Sequence, residues 1–373
     1  MWLHLATGRL LAGGNYQFGT DPFAYTTAGT YWANHAWLFD LVLFTGFNWF
    51  GGSALVAVKA AAVAATAAGL VPSPRSRPVR PLNWLLVGFV TLGAVGPATA
   101  ADPVEHKIMF AEYGKGPNRL VEVDAKGKVT WEHKFPSIAV IFQVLPDGHV
   151  IYAYGGKPTG VREIDRDQKV VWDYESKCPQ VLGCRRLPNG NTLVAEQGPC
   201  RVVEVDKEGK VVRTTPLTTT EKGYHLQVRN VHKLANGNIL AAHEGEGAVR
   251  EVDVDGKVVW EYTKVENAGD AVRLANGNTL ISCGTQKRLI EVNPKGEVVW
   301  EFGPKDAPEL NLTWVTSIQV LKNGNYVVCN FLRGQEGKGA HAFEVTKDKK
   351  VVWTFADHKL AQSITTLRVL DDK

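Results

Sequence analysis

Leu274-Ala-Asn-Gly-Asn-Thr-Leu280, followed closely by Glu291-Val-Asn-Pro-Lys-Gly-Glu-Val-Val-Trp300, is the stretch whose reading decides the fold. In each half a polar turn containing glycine joins two short runs of apolar and β-branched residues, a strong short-range signal for a β-hairpin. Asn-Gly in this setting predicts a type I′ turn, whose two central residues both need positive φ. The first half recurs at 145–151, 187–193, 234–240 and 321–327, and Leu370-Asp371-Asp372 begins a further copy. The second recurs from Glu122 to Trp131, Glu163 to Trp172, Glu204 to Arg213, Glu251 to Trp260 and Glu344 to Trp353. Glu122 to Glu344 spans 222 residues in five intervals, about 44 each, which is the length of a four-stranded blade. Two hairpins per repeat therefore predict an all-β, six-bladed β-propeller of four-stranded blades.

The ends of the repeat region fit a closed ring. Strands are expected at Ile108 to Tyr113, Leu120 to Asp124 and Val129 to Lys134, with no first strand before them. Ile364 to Leu370, at the other terminus, supplies it, so one blade is shared between the two ends. The repeated Trp131, Trp172, Trp260, Trp300 and Trp353 are expected to wedge between blades. Arg213 breaks that series, which predicts a looser outer edge in the third blade.

Charge separates the chain into two parts. Of 42 Lys+Arg only Arg9, Lys59, Arg75, Arg77 and Arg80 lie in the first hundred residues, and of 38 Asp+Glu only Asp21 and Asp40. The last 273 residues thus hold 37 basic and 36 acidic side chains, a balance that argues against a nucleic-acid partner. Ser53 to Val71 is apolar apart from Lys59 and long enough to span a bilayer, and Arg75, Arg77 and Arg80 place the following connection in the cytoplasm. The apolar run Trp84 to Val95 and the Ala98-Thr99-Ala100 site then read as an export signal cleaved after Ala100.

The expected organisation is an α-helical membrane-associated segment at 1–74, a signal peptide or signal anchor at 75–100, and the propeller at 101–373. This places the propeller in the periplasm or outside the cell, tethered to the membrane where the signal is retained. Met1 and Met109 are the only methionines. A start near Val79 at another codon, leaving 1–78 untranslated, is the competing reading.

Two resemblances follow from these residues. Trp2 to Arg9, Thr20 to Thr26 and Trp32 to Leu38 resemble the first extracytoplasmic loop of bacterial membrane glycosyltransferases of the dolichyl-mannosyltransferase type, over about seventy residues. They imply a truncated or fused remnant, because Asp21 alone cannot rebuild such a site. Leu-Pro-Asn-Gly-Asn-x-Leu combined with Val-Asp-x-x-Gly-x-Val-x-Trp resembles arylsulfotransferase-like propellers and the wider PQQ-like bacterial repeat proteins, over residues 106–373. These motifs specify architecture far more than function. The resemblance to quinoproteins implies no PQQ here, since the vicinal cysteine pair and acidic calcium ligands of those enzymes are missing. No cofactor is expected.

Function is expected on the variable loops opposite the tight turns, where Thr214 to Gln227, Gly303 to Leu312 and Arg333 to His341 are long. First strands line the central channel, so Arg229, Asn230, His232, Asp270, Thr316 and Ser317 are expected to converge at its mouth as ligand-binding residues. Glu112, Glu196 and Glu244 end second strands near the same mouth and join this set, against the alternative of solvated strand-end acids. Two functions stay open. One is a binding module for a small anionic or aromatic ligand or another exported protein. The other, implied by the arylsulfotransferase resemblance, is an enzyme in which His225, His232 or His243 takes a sulfuryl group while Arg229 and Asn230 stabilise its charge. Five cysteines without a CxxC argue against a zinc site, and no metal is expected. Cys184 with Cys200 is the disulfide expected in an oxidising compartment.

Overall fold

In the computed structural model the described residues are 105–114 and 116–371, with the isolated positions Arg9, Phe44 and Thr45. The chain divides into two units, Met1–Val95 and Gly96–Lys373. The membrane span, the export signal and its cleavage site lie outside the described residues. Among the described residues no helix is long and apolar enough to cross a membrane.

Among the described residues the second unit holds six four-stranded antiparallel sheets. Blade 1 is built from Ile364–Val369, Ile108–Glu112, Arg119–Val123 and Val129–Lys134. Its first strand comes from the C-terminus, with Ile108 opposite Val369 and Phe110 opposite Leu367. Blade 2 comprises Phe142–Val144, Val150–Gly155, Thr159–Ile164 and Val170–Glu175. Blade 3 comprises Gln180–Arg186, Thr192–Gln197, Arg201–Val205 and Val211–Pro216. Blade 4 comprises Asn230–Lys233, Ile239–His243, Ala248–Val252 and Val258–Tyr262. Blade 5 comprises Ala268–Arg273, Thr279–Cys283, Arg288–Val292 and Val298–Phe302. Blade 6 comprises Val315–Val320, Tyr326–Asn330, Ala342–Val345 and Val351–Phe355.

Second strands are buried along their whole length, because both of their faces meet a neighbouring blade. In blade 1, Ile108 and Phe110 pack toward Val327 and Ala342 of blade 6, while Met109 and Ala111 pack toward Phe142 and Tyr152 of blade 2. Period-two alternation thus sends successive side chains to different neighbours, and both sets are apolar. Fourth strands alternate exposed and half-buried residues, as an outer edge should.

The tight hairpins are not type I′ turns. Gly237 N–H donates to Leu234 O at 2.9 Å, Leu234 N–H donates to Asn238 O at 2.8 Å, and of the loop residues only Gly237 has positive φ, at 87°. This is a three-residue loop, a type I turn closed by a glycine bulge, and it explains proline at the position after the leucine in two repeats. The two asparagines of the motif have a second task. Asn236 and Asn238 both donate to Glu251 Oε1, at 3.0 and 2.7 Å, and Arg273 of the next blade binds the other oxygen at 2.8 Å. Glu204 repeats the pattern with Asn189, Asn191 and Lys233, and Glu291 with Asn276, Asn278 and Lys347. The turn motif therefore also builds a buried ionic lock between adjacent blades.

Three of the wedge tryptophans hydrogen-bond to the next blade, while Trp172 meets it through Arg186, whose guanidinium lies 4.9 Å above its ring. Trp131 Nε1 donates to Arg166 O, Trp260 Nε1 to Pro294 O and Trp300 Nε1 to Lys347 O, at 2.9, 3.2 and 2.7 Å. Where Arg213 replaces tryptophan, a cavity of about 150 Å³ opens between blades 3 and 4, lined by Arg213, Thr215 and Val254. The outer edge is looser there, as expected.

All five cysteines are free. The expected Cys184–Cys200 disulfide does not form because the two residues lie on opposite faces of blade 3. Cys184 packs with Ile151 and Val161 of blade 2, and Cys200 with Val231 and Ile239 of blade 4.

Candidate functional site

The long connections enclose a cavity of about 760 Å³ at one end of the central channel. On the side of blades 1 and 2 its lining is apolar: Tyr113, Ile138, Val140 and Ile141. Blade 6 adds Trp314 and Phe331, and Phe331 stacks on Tyr113 with ring centroids 6.2 Å apart. The opposite side, from the 214–227 connection and blade 4, brings His225, Arg229 and Glu244. Arg333 completes the rim, its guanidinium 5.5 Å above the Trp314 ring.

Among the expected site residues, the structure brings Arg229, Glu244, His225, Thr316 and Ser317 into this lining. Arg229 is paired with Glu244 through both Nε and Nη2, so its charge is already matched. Thr316 Oγ1 donates to Thr365 O at 2.8 Å, and Ser317 is buried in the floor.

Other expected residues lie elsewhere. Asn230 and Asp270 are buried within the floor, where Asn230 Nδ2 donates to Asp270 Oδ1 at 2.8 Å. His232 lies below that floor, with Nε2 3.0 Å from Asp270 Oδ1, so the nitrogen that would act is already engaged. His243 is fully buried at the end of a second strand, with Nδ1 3.0 Å from Gln227 O, and burial pushes its pKa down to about 4. Neither histidine lines the mouth.

Glu112 and Glu196 are not solvated acids either. Glu112 accepts from Arg119 Nε at 2.7 Å and from Gln362 N at 2.8 Å; Glu196 accepts from Arg201 Nε at 2.7 Å and Ser176 Oγ at 2.5 Å. Both are buried and fasten blade connections.

His225 is the remaining candidate. Gln180 Nε2 donates to Gly155 O at 2.9 Å, which fixes its amide and turns Oε1 toward His225 Nδ1 at 2.8 Å. The imidazole therefore carries its hydrogen on Nδ1 and leaves a lone pair on Nε2. Partial desolvation and the charge of Arg229 hold the pKa of this exposed ring below the usual histidine value. Sequence reasoning missed the aromatic members Tyr113, Trp314 and Phe331. Each flanks a strand end rather than a repeated position, and no motif marks it.

Away from the mouth, Asp147, His149 and Glu163 gather metal-ligand atoms within 4.8 Å of one another. His149 Nδ1 lies 2.8 Å from Glu163 Oε1, standing where asparagine stands in other blades, and Arg186 takes the second oxygen. The group is the blade 2 version of the ionic lock.

The chain is similar over residues 161–305, from blade 2 through blade 5, to the family described as Mal s 1 allergenic protein-like. A crystal structure of a protein of unknown function from Bacteroides caccae superposes with a TM-score of 0.64 at 24% identity, covering 71% of this chain and 98% of that one. Virginiamycin B lyase from Staphylococcus aureus superposes with a TM-score of 0.47 at 13% identity, covering 66% and 85%. No curated protein matches.

Proposed function

We propose that the propeller is a binding module whose mouth takes a small ligand with an aromatic ring and a hydrogen-bond donor. The carrying observation is the pairing, in one 760 Å³ cavity, of an aromatic wall from Tyr113, Trp314 and Phe331 with a neutral His225 whose Nε2 is an acceptor. Aromatic surface supplies most of the affinity in such cavities, and a few placed polar groups orient the guest. An anionic guest is the weaker half of the expectation, because Glu244 already neutralises Arg229. We place the module outside the cytoplasm on the strength of the run Trp84 to Val95 and its Ala98-Thr99-Ala100 site.

Calorimetric titration with 2-naphthol, 2-methoxynaphthalene and 2-naphthalenesulfonate tests this reading. Saturable binding of 2-naphthol, about tenfold weaker for the methyl ether and for His225→Phe, is expected from the loss of one hydrogen bond. Absence of saturable binding by all three aromatic probes would overturn it.

A second reading, an arylsulfotransferase-like enzyme, draws on the same unprotonated Nε2 beside Arg229. Turnover of 4-nitrophenyl sulfate by the wild type, abolished in His225→Phe, would replace the binding reading with it.

A further inference from the structure

The central channel carries a surplus positive charge below the floor of the mouth. The position two residues before the leucine of each tight turn faces the axis. It is occupied in turn by Gln143, Arg185, His232, Val272, Gln319 and Arg368. All six are partly exposed, while the residues one layer nearer the mouth, including Gly183, Asn230, Asp270 and Thr366, are buried. The ring of six therefore borders solvent-accessible space in the channel, with a buried layer between it and the mouth.

Two guanidiniums share one carboxylate there. Asp270 is the acid that attracts both Arg185 and Arg368, and the two arginines repel one another. Its hydrogen-bonding capacity is spent elsewhere. Oδ1 receives Asn230 Nδ2, His232 Nε2 and Ala271 N, at 2.8, 3.0 and 2.9 Å, and Oδ2 receives Ile318 N at 3.1 Å.

Arg185 is left with long contacts, Nε to Val231 O at 3.5 Å and Nη2 to His232 Nε2 at 3.4 Å. Arg368 bonds through Nη1 alone, to Ile318 O and Leu367 O at 3.1 and 3.2 Å. Burial outweighs the attraction of Asp270 and pulls the Arg368 pKa down to about 10. With His232 also held below its usual value, the layer carries two positive charges against one negative.

We propose that this space holds one small monovalent anion, bound between Arg185 and Arg368 and entering from the tight-turn face. A single anion matches the surplus charge, and guanidinium N–H groups without short partners are suited to bind it. Val272 in the ring and the single surplus charge favour a weakly hydrated halide or nitrate over sulfate or a ligand of the mouth. The site is separate from the mouth and does not depend on what binds there.

Thermal unfolding of the full-length chain tests this, with sodium gluconate exchanged for sodium chloride, bromide or nitrate at constant ionic strength. Tm is expected to rise and saturate with each small anion, as for any ligand bound by the native state alone. Arg185→Gln and Arg368→Gln are expected to weaken that response about tenfold or more, while Arg288→Gln, which removes a half-buried charge paired with Glu301 away from the channel, keeps it. Should the channel variants fail to fold, bromide anomalous diffraction on wild-type crystals decides, with a peak expected between the two guanidiniums. Identical Tm in gluconate and halide, or bromide peaks elsewhere and none in the channel, would overturn the proposal.

Discussion

Thr215 Oγ1 donates to the carbonyl of Val254 at 3.3 Å and so takes over the contact that a tryptophan makes at the corresponding turn residue of other blades. Trp131, Trp260 and Trp300 reach Arg166, Pro294 and Lys347 in this way. Arg213 satisfies the volume only in part, and a cavity of about 150 Å³ remains. Arg213→Trp should fill it and raise stability by about 1 kcal/mol, within the range of cavity-filling substitutions. A urea unfolding midpoint below that of the wild type would show that the indole does not enter the space.

The ionic locks carry a larger share of stability. Removing Glu251 leaves Arg273, Asn236 and Asn238 without their common acceptor in a largely buried place. Glu251→Ala should cost about 2–4 kcal/mol, whereas Asn238→Ala, which removes one donor of several, should cost about 1 kcal/mol. Equal losses for the two variants in denaturant titration would mean that the carboxylate is not the hub.

The repeat made the fold readable, because each blade restates its turn, its glutamate and its tryptophan in sequence. Even so, Asn-Gly alone did not distinguish a type I′ turn from a type I turn with a glycine bulge, since both need glycine at that point. The mouth was less readable for a geometric reason. Asn230 begins its first strand and Asp270 is the third residue of another, but depth along the axis separates a lining residue from a floor residue, and the ladder irregularity between Ala268 and Ala271 alters that depth locally. Glu112 and Glu196 drew a wrong environment because their partners, Arg119 and Arg201, come from the following hairpin arm. The channel ring did have a signal, namely the fixed offset of Gln143, Arg185, His232, Val272, Gln319 and Arg368 from the turn leucines.

Acid should destabilise the propeller well before its carboxylates protonate. Burial lowers the pKa of both His243 and His341 to about 4, against an unfolded value near 6.5. The unfolded chain then binds protons first, so stability falls as pH drops from about 7 to about 4 and these two groups add nothing further below that. Each contributes up to about 3 kcal/mol across the window. His149 acts with the opposite sign: Glu163 raises its pKa, and its support is present at low pH and lost as pH rises through the folded value. Urea midpoints at pH 7.5, 6 and 4.5 should show the decline, and His341→Phe should flatten it. A midpoint constant over that range would contradict the buried neutral state of both rings.

Ring closure provides the last test. Ile364–Val369 pairs with Ile108–Glu112, with one register shift between Ala111 and Glu112, and Leu370 N–H donates to Lys107 O at 2.8 Å. The same strand places Leu367 and Ile364 in the layer between blades 6 and 1, and Arg368 in the channel. Deleting residues 364–373 would remove three things at once: the inner strand of blade 1, the Ile364, Leu367 and Val369 side chains of an apolar layer, and one of the two channel guanidiniums. An exposed inner edge beside an open apolar face invites pairing with another chain, so the truncated protein should aggregate rather than merely melt earlier. Supplying residues 360–373 as a separate peptide should restore a monomeric, cooperatively unfolding propeller, since the missing strand has its register set by side chains on both faces. Size-exclusion chromatography with and without the peptide reads the outcome. A truncated chain that stays monomeric with an unchanged Tm would show that the C-terminal strand does not close the ring.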